Sequence, residues 1–359
     1  MSGFSSITCL HCGVVMPADD DVCPACGQKQ LIPDESPEAW VGRTVDGKYE
    51  LISILGVGGM GMVFEAERAM VGDRVALKVL FPRLLESPLQ RRLFDDEAIA
   101  AARLSHPNVV TVFDAEFSSD DRTAYIAMEL LEGRTLKGLL RESAPLDPEV
   151  ILPIAIEICL ALAAAHNAQI IHRDLKPDNV FLEERGEGYR VKLVDFGIAA
   201  MLDADRPEER RQRLGTLRYM APEQCRGGDV DGRADLYALG VLLYEGLTRR
   251  RATGKSITAV LEEVPKPLNH RLPPEAQLHP ELEALVMNLL AKDPDDRPDN
   301  ADLLRLKLER VLALSRGEPA LPMPVLSNEG SSAARRIWLP VFMAVGAGVL
   351  AGLVWGLLR

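Results

Sequence analysis

The chain has 359 residues, 47% hydrophobic and 26% charged, an ordinary globular balance that excludes wholesale disorder and collagen-like or low-complexity architectures. At roughly 150 residues per domain this length allows about 2.4 domains, so one large domain with smaller appendages is expected. Aspartate and glutamate number 53 against 41 lysines and arginines, and the net charge of −12 removes any general electrostatic reason to bind nucleic acid.

The chain opens with a cysteine-paired head, residues 1–30. Cys9-Leu10-His11-Cys12-Gly13 and Cys23-Pro24-Ala25-Cys26-Gly27 form two knuckles. Each knuckle aims two thiolates at one point, the glycine permits the turn that follows, and four thiolates complete a tetrahedral Zn²⁺ shell. A disulfide pair is the alternative. It is disfavoured because no charged and then apolar leader opens the sequence, so reduced cysteines are expected. Asp19, Asp20 and Asp21 outweigh Lys29, so the head lacks a phosphate-binding footprint and reads as a protein-interaction or regulatory module. The segment resembles the small zinc-ribbon domains, which implies a structural Zn²⁺ on Cys9, Cys12, Cys23 and Cys26. An acidic, proline-containing linker is expected over residues 31–48.

The body, residues 49–314, begins with a strand from Tyr49 to Leu55 and then Gly56-Val57-Gly58-Gly59-Met60-Gly61-Met62-Val63. A G-x-G-x-x-G loop by itself does not say which phosphate-binding architecture holds it. Met62 to Glu67 and Arg74 to Val79 read as short β-rich runs around Gly72-Asp73, so the loop joins two strands instead of opening a helix. Glycines there let backbone N–H groups approach phosphate. Further along stand Val75-Ala76-Leu77-Lys78, a helical stretch from Leu89 to Leu104 containing Glu97, and His172-Arg173-Asp174-Leu175-Lys176-Pro177-Asp178-Asn179. Asp195-Phe196-Gly197 and Ala221-Pro222-Glu223 complete the series.

In this order and spacing the motifs resemble the eukaryotic-like (Hanks-type) serine/threonine protein kinases of bacteria. The resemblance implies an α+β, bilobal protein kinase fold with a β-rich small lobe and an α-helical large lobe. It also implies ATP and Mg²⁺ at the site and protein substrates. By the same resemblance Gly56, Gly58 and Gly61 cover the phosphates, and Val63, Ala76 and Glu129 line the nucleotide site. Lys78 holds the α and β phosphates and is fixed by an ion pair with Glu97. Asn179 and Asp195 are hard oxygen ligands for Mg²⁺. Asp174 accepts the substrate hydroxyl's proton, Lys176 stabilises charge on the transferred group, and Thr216 fixes both. Glu223 and Arg297 resemble the buried ion pair of the large lobe, and Asp235 resembles the acid bracing the catalytic loop. Met128 is either the residue guarding the adenine pocket or a core methionine. Cys159 and Cys225 read as inert thiols.

Two stretches depart from the family's pattern. Ile198 to Leu214 contains no Ser, Thr or Tyr, so the phosphorylated partner that Arg173 would have in relatives cannot form there. Asp203, Asp205, Glu208 and Glu209 are the candidate permanent anions. After Leu247-Thr248, Arg249-Arg250-Arg251 replaces the proline-and-aromatic run of relatives and leaves the substrate side open. The rival readings are a pseudokinase and a zinc-ribbon scaffold at the membrane. The first is opposed by the presence of Lys78, Asp174, Asn179 and Asp195 together.

The tail divides into a flexible tether, residues 315–336, and an uncharged run from Ile337 to Leu358. As a helix that run would span about 33 Å, close to the hydrocarbon core of a bilayer, so a C-terminal transmembrane helix is expected in place of a buried core helix. Trp338 and Trp355 stand near its ends, as interfacial rings do. Arg335 and Arg336 before the run against Arg359 after it favour a single-pass protein of the cytoplasmic membrane with its kinase domain in the cytoplasm. Gly348, Gly352 and Gly356 would clear one helix face for a homodimer.

Overall fold

The computed structural model describes residues 7–8, 15–16, 24–25, 36–58, 61–81, 91, 94, 104–118, 124–186, 188–196 and 216–319. The four knuckle cysteines, Glu97, residues 197–215 and the apolar run 337–358 lie outside them. In the head, β1 (Ile7–Thr8) pairs antiparallel with β2 (Val15–Met16), on either side of the first knuckle in sequence.

The small lobe is a six-stranded sheet made of β3 (Thr44–Val45), β4 (Tyr49–Val57), β5 (Gly61–Arg68), β6 (Arg74–Leu80), β7 (Val112–Phe117) and β8 (Ala124–Glu129). Its order is β3-β4-β5-β6-β8-β7, every pair antiparallel. β6 is central, and its run Val75 to Leu80 is buried on both faces, as its unbroken apolar pattern around Lys78 requires. The sheet begins inside the segment expected as linker. Trp40 packs on the small-lobe core and Val45 pairs with Tyr49 across a turn in which Asp46 and Gly47 take φ of 49° and 66°. An Asp-Gly pair suits that left-handed turn because neither residue is strongly penalised there.

The large lobe carries a three-stranded sheet of β9 (Arg134–Thr135), β10 (Val180–Arg185) and β11 (Gly188–Leu193) in the order β11-β10-β9. Around it stand α1 (Leu136–Ser143), α2 (Pro148–Asn167), α3 (Pro222–Arg226), α4 (Arg233–Thr248), α5 (Ile257–Glu262), α6 (Pro280–Leu289) and α7 (Ala301–Ser315). α2 starts with Pro148 at its first turn, where a missing N–H is harmless, and is apolar on all sides. Among the described residues it is the one helix long and apolar enough to cross a membrane. Ile151, Ile158 and Leu162 are fully buried, and it packs against α7, β11 and α4 as the core of this lobe. α4 is buried along nearly its whole length, and a Cβ at Gly246 would come within 2.0 Å of Ile151 Cδ1, so glycine lets α4 and α2 approach. The β-rich and helix-rich lobes have separate apolar cores, the bilobal α+β architecture the motifs implied.

Candidate active site

The glycine-rich turn joins β4 to β5, with Gly56 opposite Val63 and Gly58 N–H donating to the Gly61 carbonyl at 2.9 Å. A Cβ at Gly56 would meet nothing within 4 Å, and one at Gly58 would meet the Gly61 carbonyl at 3.9 Å. Both glycines therefore leave open space that a phosphate could fill. Gly61 has a different reason: a Cβ there would fall 2.1 Å from the Val79 carbonyl, so it lets β5 lie close to β6.

On β6, Ala76 and Lys78 are two residues apart and share one sheet face. Val63 is the cross-strand neighbour of Lys78, and Met128 that of Ala76, so these four side chains lie together. Lys78 Nζ donates to Asp195 Oδ1 at 2.6 Å, with the lysine side chain 6% exposed and the aspartate 31%. Burial opposes ionisation of Asp195, but Lys78 overrides it and holds the carboxyl below the usual carboxylate range. Asp195 thus faces the cleft as an anion. Its backbone takes φ of 61°, as does that of Arg173, and two non-glycine residues in the left-handed region mark local strain at this site.

The catalytic loop hangs from α4. Asp235, fully buried near the start of that helix, accepts the backbone N–H of His172 at 2.9 Å and of Arg173 at 2.8 Å. Its Oδ2 also lies 2.8 Å from His166 Nε2. The His172 ring stacks on Phe196 at 4.6 Å between centroids, joining this loop to the Asp195 segment. Lys176 Nζ donates to Asp174 Oδ2 at 2.7 Å, and Asn179 Nδ2 to the Asp174 carbonyl at 3.0 Å and Oδ2 at 3.2 Å. Burial disfavours the charge on Lys176, yet the Asp174 carboxylate raises its pKa above the usual value. Val194 N–H donates to the Asn179 carbonyl at 3.1 Å, which brings Asn179 beside the strand end that carries Asp195.

Lys78, Asp174, Lys176, Asn179 and Asp195 are thus tied together by direct contacts or through adjacent backbone. Thr216 begins a 3₁₀ turn, Thr216–Arg218. Glu129 is placed differently from a nucleotide-lining side chain. Its Oε1 accepts from Lys192 Nζ at 2.6 Å and from Thr111 N–H at 2.7 Å, and its own N–H donates to the Thr111 carbonyl at 2.9 Å. Lys192 had no signal in the sequence, nor did the ion pair of Lys137 with Asp178 at 2.6 Å. Glu223 and Arg297 form a two-pronged pair at 2.7 and 2.9 Å, and the guanidinium lies over Tyr237 at 5.0 Å. Glu245 on α4 is bound by Arg218 and accepts from Tyr219 Oη at 2.8 Å.

The donor set fits a hard divalent cation. Asn179 spends its amide N–H₂ on Asp174, which frees its amide oxygen, and Asp195 keeps its second oxygen after Lys78 takes the first. Residues 49–308 match the protein kinase domain family. Serine/threonine-protein kinase pkn3 of Myxococcus xanthus is 39% identical over 285 residues, 76% of this chain and 52% of its own length. Serine/threonine-protein kinase PrkC of Bacillus subtilis is 36% identical over 282 residues, 77% of this chain and 42% of its own. The chain therefore spans about half the length, or less, of these relatives. Among solved structures, the kinase domain of Mycobacterium tuberculosis PknI superposes with a TM-score of 0.61 at 29% identity, covering 75% of this chain and 98% of that one.

Proposed function

Because the chain belongs to the protein kinase family and its relatives are bacterial serine/threonine kinases, we propose that it transfers the γ-phosphoryl group of ATP to serine or threonine hydroxyls of protein substrates. The observation that carries this reading is the Asp174–Lys176–Asn179 cluster within reach of the Lys78–Asp195 pair. Asp174 takes the proton from the acceptor hydroxyl, and Lys176 keeps that carboxylate oriented while presenting positive charge to the transferred group. Lys78 holds the phosphates, under the open backbone of Gly56 and Gly58. Asn179 and Asp195 would hold Mg²⁺, which when bound supplies neutralising charge on the phosphates. Lys78 is tied to Asp195 here, so the expected Lys78–Glu97 pair, with Glu97 outside the described residues, is part of the proposal.

The proposal extends to the ends of the chain. Residues 1–30 form a zinc ribbon on Cys9, Cys12, Cys23 and Cys26, a reading supported by their spacing and by the β1–β2 pairing that flanks the first knuckle. Residues 337–358 anchor the protein in the cytoplasmic membrane, with the kinase domain on the cytoplasmic side and Gly348, Gly352 and Gly356 available to pair two copies. The test is phosphotransfer from radiolabelled ATP, with Mg²⁺, to a mixed-sequence Ser/Thr peptide pool. Transfer that disappears with Lys78→Met supports an active kinase. No transfer and no ATP turnover would favour the pseudokinase scaffold.

A further inference from the structure

The triple arginine after α4 is not used by the phosphotransfer machinery, and its position is informative. Arg249, Arg250, Arg251 and Lys255 are all exposed, and none of their side chains makes a hydrogen bond or ion pair among the described residues. From Arg249 to Ser256 the chain carries four cations and no anion, within a protein of net charge −12. This segment leads into α5, which packs against both the Thr216–Arg218 turn and α3. Arg251 lies close enough to Glu245 to act on its carboxyl, and Glu245 in turn holds Arg218 and Tyr219. That segment adjoins the catalytic loop, since Gln224 Nε2 donates to the Arg173 carbonyl at 3.0 Å.

Two acids beside the acceptor site could in principle have drawn basic substrates, and both are already paired within the chain. Glu245 is buried and held by Arg218, while Asp178 is held by Lys137 at 2.6 Å. The stretch 198–214 carries no net charge, its four acids, Asp203, Asp205, Glu208 and Glu209, being equalled in number by Arg206, Arg210, Arg211 and Arg213. Glu263 reaches this segment, its Oε2 accepting Gly254 N–H at 2.9 Å, and the four exposed cations outnumber it there.

We propose that Arg249, Arg250, Arg251 and Lys255 form an anion-recognising edge that selects acceptor hydroxyls flanked by acidic residues, carboxylate or phosphate. This rests on the kinase reading and deepens it by naming the substrate class. Exposed charge pairs act mainly on encounter and on substrate affinity, so the edge belongs to KM and not to the chemical step.

The experiment uses the full chain and three Ser/Thr acceptor peptides with Asp/Glu, phosphoserine or Lys/Arg flanks. The acidic peptides should show a KM at least about tenfold below that of the basic one at low salt, and the gap should shrink with salt as screening shortens to ~3 Å at 1 M. Arg250→Glu with Arg251→Glu should raise the KM for acidic peptides about tenfold, with kcat and the KM for ATP unchanged, whereas Arg250→Lys with Arg251→Lys should retain the preference. A lower KM with phosphoserine than with Asp/Glu, or the reverse, identifies the preferred anion and supports the edge either way. Equal KM values for acidic and basic peptides would overturn it. So would a double-Glu variant that loses binding to phosphatidylserine vesicles while keeping its peptide preference, because the patch would then serve an anionic membrane surface. Transfer to no peptide, with no ATP turnover, overturns the phosphotransfer reading and this inference with it.

Discussion

Asp174 is held from two sides, by the Lys176 ammonium at 2.7 Å and the Asn179 amide at 3.2 Å, and neither donor can take its proton. The carboxylate is therefore oriented before any hydroxyl arrives, which is what a positioned proton acceptor requires. Asp174→Asn keeps the shape and removes the basicity, so kcat should fall by about 10²- to 10⁴-fold while circular dichroism and the melting temperature stay close to the parent's. Lys192 is a second residue with a defined task. It reaches Glu129 Oε1 at 2.6 Å and the Val109 carbonyl at 3.3 Å, fastening the end of β8 to β11. Lys192→Met leaves Glu129 a quarter exposed and short of its cation, a cost of about 1–3 kcal/mol. If Glu129 lines the nucleotide site as the family resemblance implies, the KM for ATP should also rise. An unchanged KM for ATP alongside a lower melting temperature would confine Lys192 to a structural role.

At the scale of elements, α4 is the frame on which the site is mounted. Asp235 near its start holds the catalytic loop and Glu245 near its end holds Arg218 and Tyr219, so a single buried helix positions both segments. Arg297 anchors this frame by pairing with Glu223 and donating to the Arg233 carbonyl at 3.0 Å. Arg297→Met strands a buried carboxylate, which should cost about 3–5 kcal/mol, or a drop in melting temperature on the order of 6–20 °C. Adding Glu223→Leu should recover much of that loss, and thermal unfolding of the two variants checks it. Asp235, Glu223 and Arg297 were legible in the sequence because they stand in recognisable motifs. His166 and Lys192 were not, since their partners lie 69 and 63 residues away and no local pattern records which strand or helix will face them. The same limit applies to the start of the small lobe. The polar composition of residues 31–48 suggested a linker, but Trp40 and Val45 are enough to dock its second half on the sheet. The 198–214 stretch poses the converse case. Arg173 is exposed and its guanidinium makes no hydrogen bond among the described residues, which leaves it available to Asp203 or Asp205. A charge-assisted contact of roughly 1.5–3 kcal/mol would bias a two-state loop by more than tenfold. Phosphatase-treated protein should therefore keep its activity, and Asp203→Ala with Asp205→Ala should lose most of it. A large loss on dephosphorylation, mapped to Thr216 or Tyr219, would place control there instead.

At the scale of the whole molecule, the kinase domain stands between two appendages of different chemistry. Four thiolates at the head should hold one Zn²⁺ per chain, so freshly reduced protein should carry one equivalent by elemental analysis and lose it with Cys9→Ser and Cys12→Ser, while phosphotransfer by the kinase domain persists. The proposed anchor at the other end would govern where the reaction can occur. A tether of residues 315–336, if it behaves as a flexible coil, has a root-mean-square span of about 26 Å, less than the diameter of a kinase-sized domain, so an anchored enzyme would work on substrates at or near the bilayer. Ile337 to Leu358 supplies enough apolar length to hold that anchor against the solubility of an acidic domain. Truncation after Ala334 should therefore move the protein from the membrane pellet to the soluble fraction with its peptide kinase activity intact. A full-length chain recovered in the soluble fraction without detergent would rule out the anchor, and with it the restriction of substrates to the membrane surface.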